Sequence, residues 1–456
     1  MAPRLGLGGG VTANPASGLF AGIPEATNDW NFALDQEDYS ELLHDSFITF
    51  TRASVGRVMD ASGNIVEIAS GEPRYGYDVE GNSLGLLMER ASTNLMYRSD
   101  FSSDWSAYES NGLDAGNTTT GPDGVSGSGK SINTQAGAGF HLTYIYSMLS
   151  TSNIEYKDYR CYSVYAKKGN ADYFRMGFTL NFSGSFTQVG ASFNLDSGSV
   201  DDLTACSAEI ESVGNGWYRC IIHSTSMPSS DGSTYGGVWM SPSNTSIAYE
   251  SPLPVVASRD EGAADEHVFL WGMNIEERTG VVDRTFPTSF INTTGSQVTR
   301  PIDQARGDTS DWSWSDTEGS MLIELERTNT ADASGSMGIL VIDGAGTGEH
   351  IEFHSSTTEE NFQINSSAGA GSTAVMDVGD DVAPNTPYKI AAGWKDDDVA
   401  VTLNGATSVT DTSFTLDDVF DSQEIDLGGT YFNGFIKRVR YWDTKLTNEQ
   451  LEELST

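Results

Sequence analysis

Apolar and polar positions alternate in short stretches along most of this chain. Tyr173-Phe-Arg-Met-Gly-Phe-Thr-Leu180 sets Phe174, Met176, Phe178 and Leu180 on one face, and Met321, Ile323 and Leu325 alternate with Leu322, Glu324 and Glu326. Alternation with a period of two marks a strand with one buried face. Val399, Val401 and Leu403 repeat the pattern and run into Asn404-Gly405. Glu209-Ile-Glu-Ser-Val213 and Trp217-Tyr-Arg-Cys-Ile-Ile222 flank Gly214-Asn-Gly216. Both read as hairpins, because Asn-Gly supplies the positive φ that a tight turn needs. Asp60-Ala-Ser-Gly63 marks a further turn ahead of Asn64-Ile-Val-Glu-Ile68. The clearest helix signal is at the C-terminus, where Thr447 and Gln450 form a capping box and Leu446 can staple onto Leu451. A second short helix is expected over Asp35–His44. The predicted fold class is all-β: an extended arm over 1–45, a small β module over 46–98, and two β-sandwiches over 99–305 and 306–456. The small module is too short to bury a core alone and is expected to pack on its neighbours. No solenoid-type repeat is present, which counts against a β-helix enzyme.

Composition sharpens this picture. The 49 glycines, crowded with Ser, Thr, Asn and Asp between apolar runs, fit many short strands joined by turns. The formal charge of −39 repels phosphate backbones, so nucleic acid is not an expected partner. No apolar run is long enough to cross a membrane, and the N-terminus lacks the apolar core of a signal peptide. The three cysteines, Cys161, Cys206 and Cys220, are too few and odd in number for a disulfide framework. The expectation is synthesis in a reducing cytoplasm, with Cys161 and Cys220 as small buried hydrophobes. The arm, with Pro3, Pro15 and Pro24 and a Gly-rich start, has no core of its own and is expected to be tied down by a partner.

Four ordered patches carry a resemblance to a known family. They are Phe50-Thr-Arg-Ala-Ser54 with Glu72-Pro-Arg74, Gly85-Leu-Leu-Met-Glu89 and Thr93-Asn-Leu95; Tyr162-Ser-Val-Tyr-Ala-Lys-Lys-Gly169; Val213-Gly-Asn-Gly-Trp-Tyr-Arg-Cys220; and Leu270-Trp-Gly-Met273 with Phe286-Pro-Thr-Ser-Phe-Ile-Asn-Thr-Thr-Gly295 and Val298-Thr-Arg300. In that order they resemble bacteriophage virion proteins described as head-spike or tail-fibre proteins. The resemblance implies a carbohydrate-binding-type jelly roll over 99–305. Gly434-Phe-Ile-Lys-Arg-Val-Arg-Tyr-Trp-Asp-Thr-Lys-Leu-Thr447 is similar to the last strand of laminin-G or concanavalin A-like lectin domains. It also implies a homotrimer on the virion surface, made in the host cytoplasm and favouring the head over the tail. The arm would hold capsid or tail proteins through Arg4, Leu5, Leu7, Leu19 and Phe20. The outer modules would adhere to host-surface glycans.

Candidate chemistry is sparse. Sugar C–H faces pack on aromatic rings while neighbouring polar groups take the hydroxyls, which nominates Tyr144, Tyr146, Tyr235, Trp239 and Tyr249 in polar or loop-rich surroundings. Trp217 and Trp271 lie in strands and are expected in the core. No cofactor is expected. Asp396-Asp-Asp398 and Gly379-Asp-Asp381 are the oxygen-rich turns that could hold a structural calcium ion, against a plain solvated turn. Gly124-Val-Ser-Gly-Ser-Gly-Lys-Ser131 matches a phosphate loop in letters but lacks the apolar strand before it and the helix after it. His350, Glu352 and His354 share a strand face and could ligate a metal, but alternation with inward Ile351 and Phe353 accounts for them fully. The alternative to an adhesin is a phage tail glycan depolymerase. Its E-x-D-x-(x)-E strand is approached only by Glu424-Ile-Asp426, with glycines where the last acid belongs. No nucleophile elbow is present, so no enzyme is expected. A secreted lectin is disfavoured by the missing leader and the unpaired cysteines.

Overall fold

The computed structural model describes residues 23–33, 48–101, 113–133, 143–145, 160–182, 185–224, 237–242, 266–277, 287–308, 314–328, 337–344, 350–355, 359–365, 373–380, 382–416, 422–429 and 432–456. The chain is all-β, with antiparallel sheets stacked as two sandwiches. In the C-terminal lobe the front sheet orders Thr49–Thr51, Gln304–Asp308, Ser422–Leu427, Met337–Gly344, His350–Ser355, Glu359–Asn365 and Thr373–Asp380. Its back sheet runs Val409–Asp411, Asp398–Leu403, Thr386–Lys395, Glu318–Arg327, Gly434–Trp442, Ser83–Met88 and Tyr75–Tyr77. The apolar set read from the pattern lies between them: Met321, Ile323, Leu325, Val399 and Val401 share one core with Ile351, Phe353, Ile425 and Trp394. Leu322 and Ala400, on the opposite face, pack beneath the C-terminal helix Asn448–Leu454 together with Leu446 and Leu451. The predicted capping box is present in full.

The middle lobe stacks a narrow sheet on a wide one. The narrow sheet orders Thr143–Ile145, Gly237–Ser241, Tyr173–Phe182, Ser185–Asn194 and Ser199–Thr204. The wide sheet orders Cys206–Ser212, Trp217–Ser224, Arg160–Lys168, His267–Glu277, Ser92–Asn94 and Val298–Arg300, with Gly129–Asn133 also on His267–Glu277. Phe174 and Met176 enter the core between them as expected, while the side chains of Phe178 and Leu180 fall outside the described set. The turns at Asn215 and Asn404 both adopt positive φ, 53° and 50°. All three cysteines are free, with Cys161 and Cys220 buried.

Two expectations on domain limits change. Residues 46–98 do not form a module of their own: Thr49–Thr51, Tyr75–Tyr77 and Ser83–Met88 complete the C-terminal sheets, and Ser92–Asn94 completes the wide sheet. Three-residue strands bury too little apart from a larger sheet to persist alone. Gly85, at φ 101°, permits this docking, since a Cβ there would sit 2.4 Å from the Ile436 carbonyl oxygen. The described end of the arm is also not free to reach a partner. Asn28–Asn31 pairs with Gly434–Trp442, Trp30 is buried, and Asp29 binds Arg438 and Arg440. The edge left open beyond Ser83–Met88 presents unpaired backbone groups that this segment satisfies. The predicted helix at 35–44 and the anchoring residues Arg4, Leu5, Leu7, Leu19 and Phe20 lie outside the described residues.

Candidate functional site

Of the nominated aromatics, Tyr146, Tyr235 and Tyr249 lie outside the described residues. The other two sit on strands rather than loops, and the narrow sheet brings them together. Tyr144 pairs directly with Trp239, and Trp239 with Gly177. Gly177 pairs with Gly190, and Gly190 with Thr204. Met176 and Met240 are register partners inside the core. Tyr144, Trp239, Gly177, Gly190 and Thr204 thus follow one another in a single line of backbone register across the sheet.

The adjoining row is polar. Arg175 pairs with Ser192 on one side and Ser241 on the other. Its guanidinium lies across the sheet, donating to Ser192 Oγ at 2.6 Å, Asp202 Oδ2 at 2.9 Å and Thr204 Oγ1 at 3.1 Å. The arginine is buried while Asp202 remains half-exposed. Gly177 and Gly190 carry no side chains, so two aromatic positions are followed along this register by two bare backbone positions, both buried. Hydroxyl and carboxylate groups held by Arg175 lie beside the two glycines. The sequence offered the aromatics; the strand glycines at 177 and 190 were the unused signal for the bare positions beside them.

The acidic turn Asp396-Asp-Asp398 spends its carboxylates on neighbouring donors. Asp396 Oδ1 accepts the Leu416 amide at 3.0 Å, and Asp398 pairs with Lys445 at 3.1 Å and Lys395 at 3.4 Å. Asp397, at φ 56°, makes the turn. Among the described residues no group of three or more His, Cys, Asp or Glu side chains is placed to hold a metal ion. That holds for His350, Glu352 and His354 as well, whose strand turns Ile351 and Phe353 inward. The phosphate-loop letters fold as a turn: Gly124 and Gly127 have positive φ, Lys130 donates to the Gly127 carbonyl at 2.7 Å, and a strand follows. Glu424 and Asp426 are both held by the half-exposed Arg306, at 3.3 and 2.9 Å. Burial pushes the thiols of Cys161 and Cys220 well up, so neither is a ready nucleophile.

The ordered sequence patches meet at the junction of the lobes. Arg74 binds Glu89 at 2.6 Å and also pairs with Asp303, Arg52 reaches Asp303 at 3.3 Å, and Arg300 reaches Glu89 at 3.4 Å. All five side chains are buried. Ser289 adds its amide at 2.6 Å and its hydroxyl at 2.7 Å to Glu89. Burial alone would raise the Glu89 carboxyl, but Arg300, Arg74 and the Ser289 donors overcome it and bring it down to about 2. Phe-Thr-Arg, Glu-Pro-Arg, the Glu89 strand and Val-Thr-Arg are therefore parts of one buried lock between the sandwiches.

No protein-family model matches the chain, and no curated protein matches it in sequence. Solved structures show a distant likeness. The Ruminococcus gnavus IT-sialidase CBM40 bound to α2,3-sialyllactose is 15% identical, over 31% of this chain and 83% of that one, with a TM-score of 0.27. The botulinum neurotoxin serotype G binding domain is 12% identical, over 33% of this chain and 39% of that one, with a TM-score of 0.29. A SAP-like pentraxin from Limulus polyphemus is 12% identical, over 32% of this chain and 73% of that one, with a TM-score of 0.25. Values this low carry no assignment of ligand.

Proposed function

We propose that this chain is a structural, non-catalytic subunit of a bacteriophage fibre or spike, favouring the head, that adheres to glycans through the outer face of the narrow sheet. The register of Tyr144, Trp239, Gly177 and Gly190 supports the adhesive part. The virion part rests on the ordered patches, which resemble head-spike and tail-fibre proteins along the sequence. In this reading the arm, through Arg4, Leu5, Leu7, Leu19 and Phe20, holds capsid or tail proteins, and a homotrimer multiplies weak sugar contacts by avidity. The subunit is made in the host cytoplasm and ends on the particle surface. Among the described residues no helix is long and apolar enough to cross a membrane.

Two measurements test it. Mass spectrometry of purified virions should find the chain among the structural proteins, and its absence would remove the virion assignment. Binding of the purified protein to immobilised host-envelope glycans should fall about tenfold on Trp239→Ala, the scale of one lost sugar–aromatic contact. Unaltered glycan binding by Trp239→Ala would remove the narrow sheet as the adhesive face.

A further inference from the structure

Between the lobes, on the outer face of the wide sheet, lies a cavity of about 410 Å3. Its lining includes Arg57, Tyr165, Glu211, Arg219, Phe290 and Glu326. Three of these form a row across neighbouring strands, since Glu211 pairs with Arg219 and Arg219 with Tyr165. The cations are engaged except at Arg219 Nε, a buried donor without a hydrogen-bond partner among the described residues that a ligand hydroxyl oxygen could meet. The Arg219 guanidinium lies 5.5 Å from the Tyr165 ring centre and donates to Ser163 Oγ at 3.1 Å and the Thr288 carbonyl at 2.5 Å. Arg57 lies 5.3 Å from the Phe290 ring centre and pairs with Glu67 at 2.9 Å. Among the described residues the carboxylates are held only through space, Glu211 by the charge of Arg219 and Glu326 by that of Lys437. Burial pushes both carboxyls up.

The lining defines the class of occupant. Half-buried carboxylates on the wall accept hydrogen bonds from a ligand's donors and repel an anion. Phe290, Tyr165 and Phe435, also on the wall, require apolar surface on the same molecule. The volume lies within the range of ordinary small-ligand sites. We propose that this cavity binds a neutral pyranose, free or at the end of a glycan chain, with hydroxyls donating to Glu211 and Glu326 and a C–H face against the aromatic wall. This site is distinct from the narrow-sheet face and does not depend on it.

The test uses the full chain carrying Trp239→Ala, so that binding at the narrow-sheet face is not counted. Titration calorimetry and saturation-transfer NMR with neutral methyl pyranosides, short neutral oligosaccharides and glucuronate are compared. At least one neutral sugar should bind with a dissociation constant on the order of 1 mM, and glucuronate should bind more weakly. Methyl pyranosides alone would mark a site for free sugar, and tighter binding of oligosaccharides a site for chain ends. Glu211→Gln with Glu326→Gln should weaken binding roughly tenfold, as expected for losing charged acceptors. Ser212→Trp, at an exposed rim position, should abolish binding with the circular dichroism unchanged. No binding of any neutral sugar at millimolar concentration, tighter binding of glucuronate, or binding indifferent to both variants would each overturn the assignment.

Discussion

The lobe junction and the outer face of the narrow sheet are each organised by a buried arginine, and they use it in opposite ways. Arg74 is enclosed by two carboxylates, Glu89 and Asp303, that are themselves buried and shared with Arg300 and Arg52. Arg175 is surrounded by hydroxyls and by one half-exposed carboxylate, Asp202. In the first case three arginines share two carboxylates, and all five side chains are buried. In the second one buried arginine meets one carboxylate at the edge of solvent and two hydroxyls. Desolvated charges that share partners hold a structure in one arrangement, whereas a guanidinium bound mainly to hydroxyls orders the polar groups of a single sheet.

The sharpest way to break this comparison is Asp303→Ala. It leaves Arg74 and Arg52 short of a carboxylate in a dry site and should cost about 3–5 kcal/mol, the usual penalty for stranding a buried charge. Thermal unfolding would show it, and a loss under about 1 kcal/mol would mean the lock is wetter than its burial implies. Acid should act on the same lock. The Glu89 carboxyl sits at about 2 in the folded protein against an ordinary 4.5, so its stabilising contribution is complete above about pH 4.5 and is lost as pH falls from there towards 2. That contribution is on the order of 3 kcal/mol. Urea midpoints between pH 5 and 2.5 should fall with that profile, and Glu89→Gln should flatten it. At the other region, Trp239→Ala should reduce glycan binding about tenfold in a titration with immobilised glycans. The smallest effect is expected away from both. Thr447→Ala removes a cap and should cost about 1 kcal/mol, with glycan binding and acid sensitivity untouched.

Much of each sandwich was legible in the chain. Met321, Ile323 and Leu325 face inward because strand geometry sends alternate residues to one side, and local pattern suffices to show that. The Asn215 and Asn404 turns and the Thr447 cap are set by neighbours a few residues away, which is why they are found where the pattern puts them. The candidate site was legible only in part. Tyr144 and Trp239 stood out as aromatics in polar surroundings, but their pairing joins residues far apart in sequence, and no local rule contains that register. Arg52, Arg74, Glu89 and Arg300 appeared as fragments of four patches without a visible reason for belonging together.

By itself, then, the sequence determined the strand periodicity, the turns, the final helix and the all-β class, because each is decided by contacts within a few residues. Only the tertiary structure decided that residues 28–31, 49–51 and 83–88 are edge strands of the C-terminal sandwich, that scattered acids and arginines close into one lock, and that two aromatics and two glycines share a row. Those outcomes depend on which distant strand satisfies an open edge and on where charges escape water. Such terms are settled by the whole fold at once.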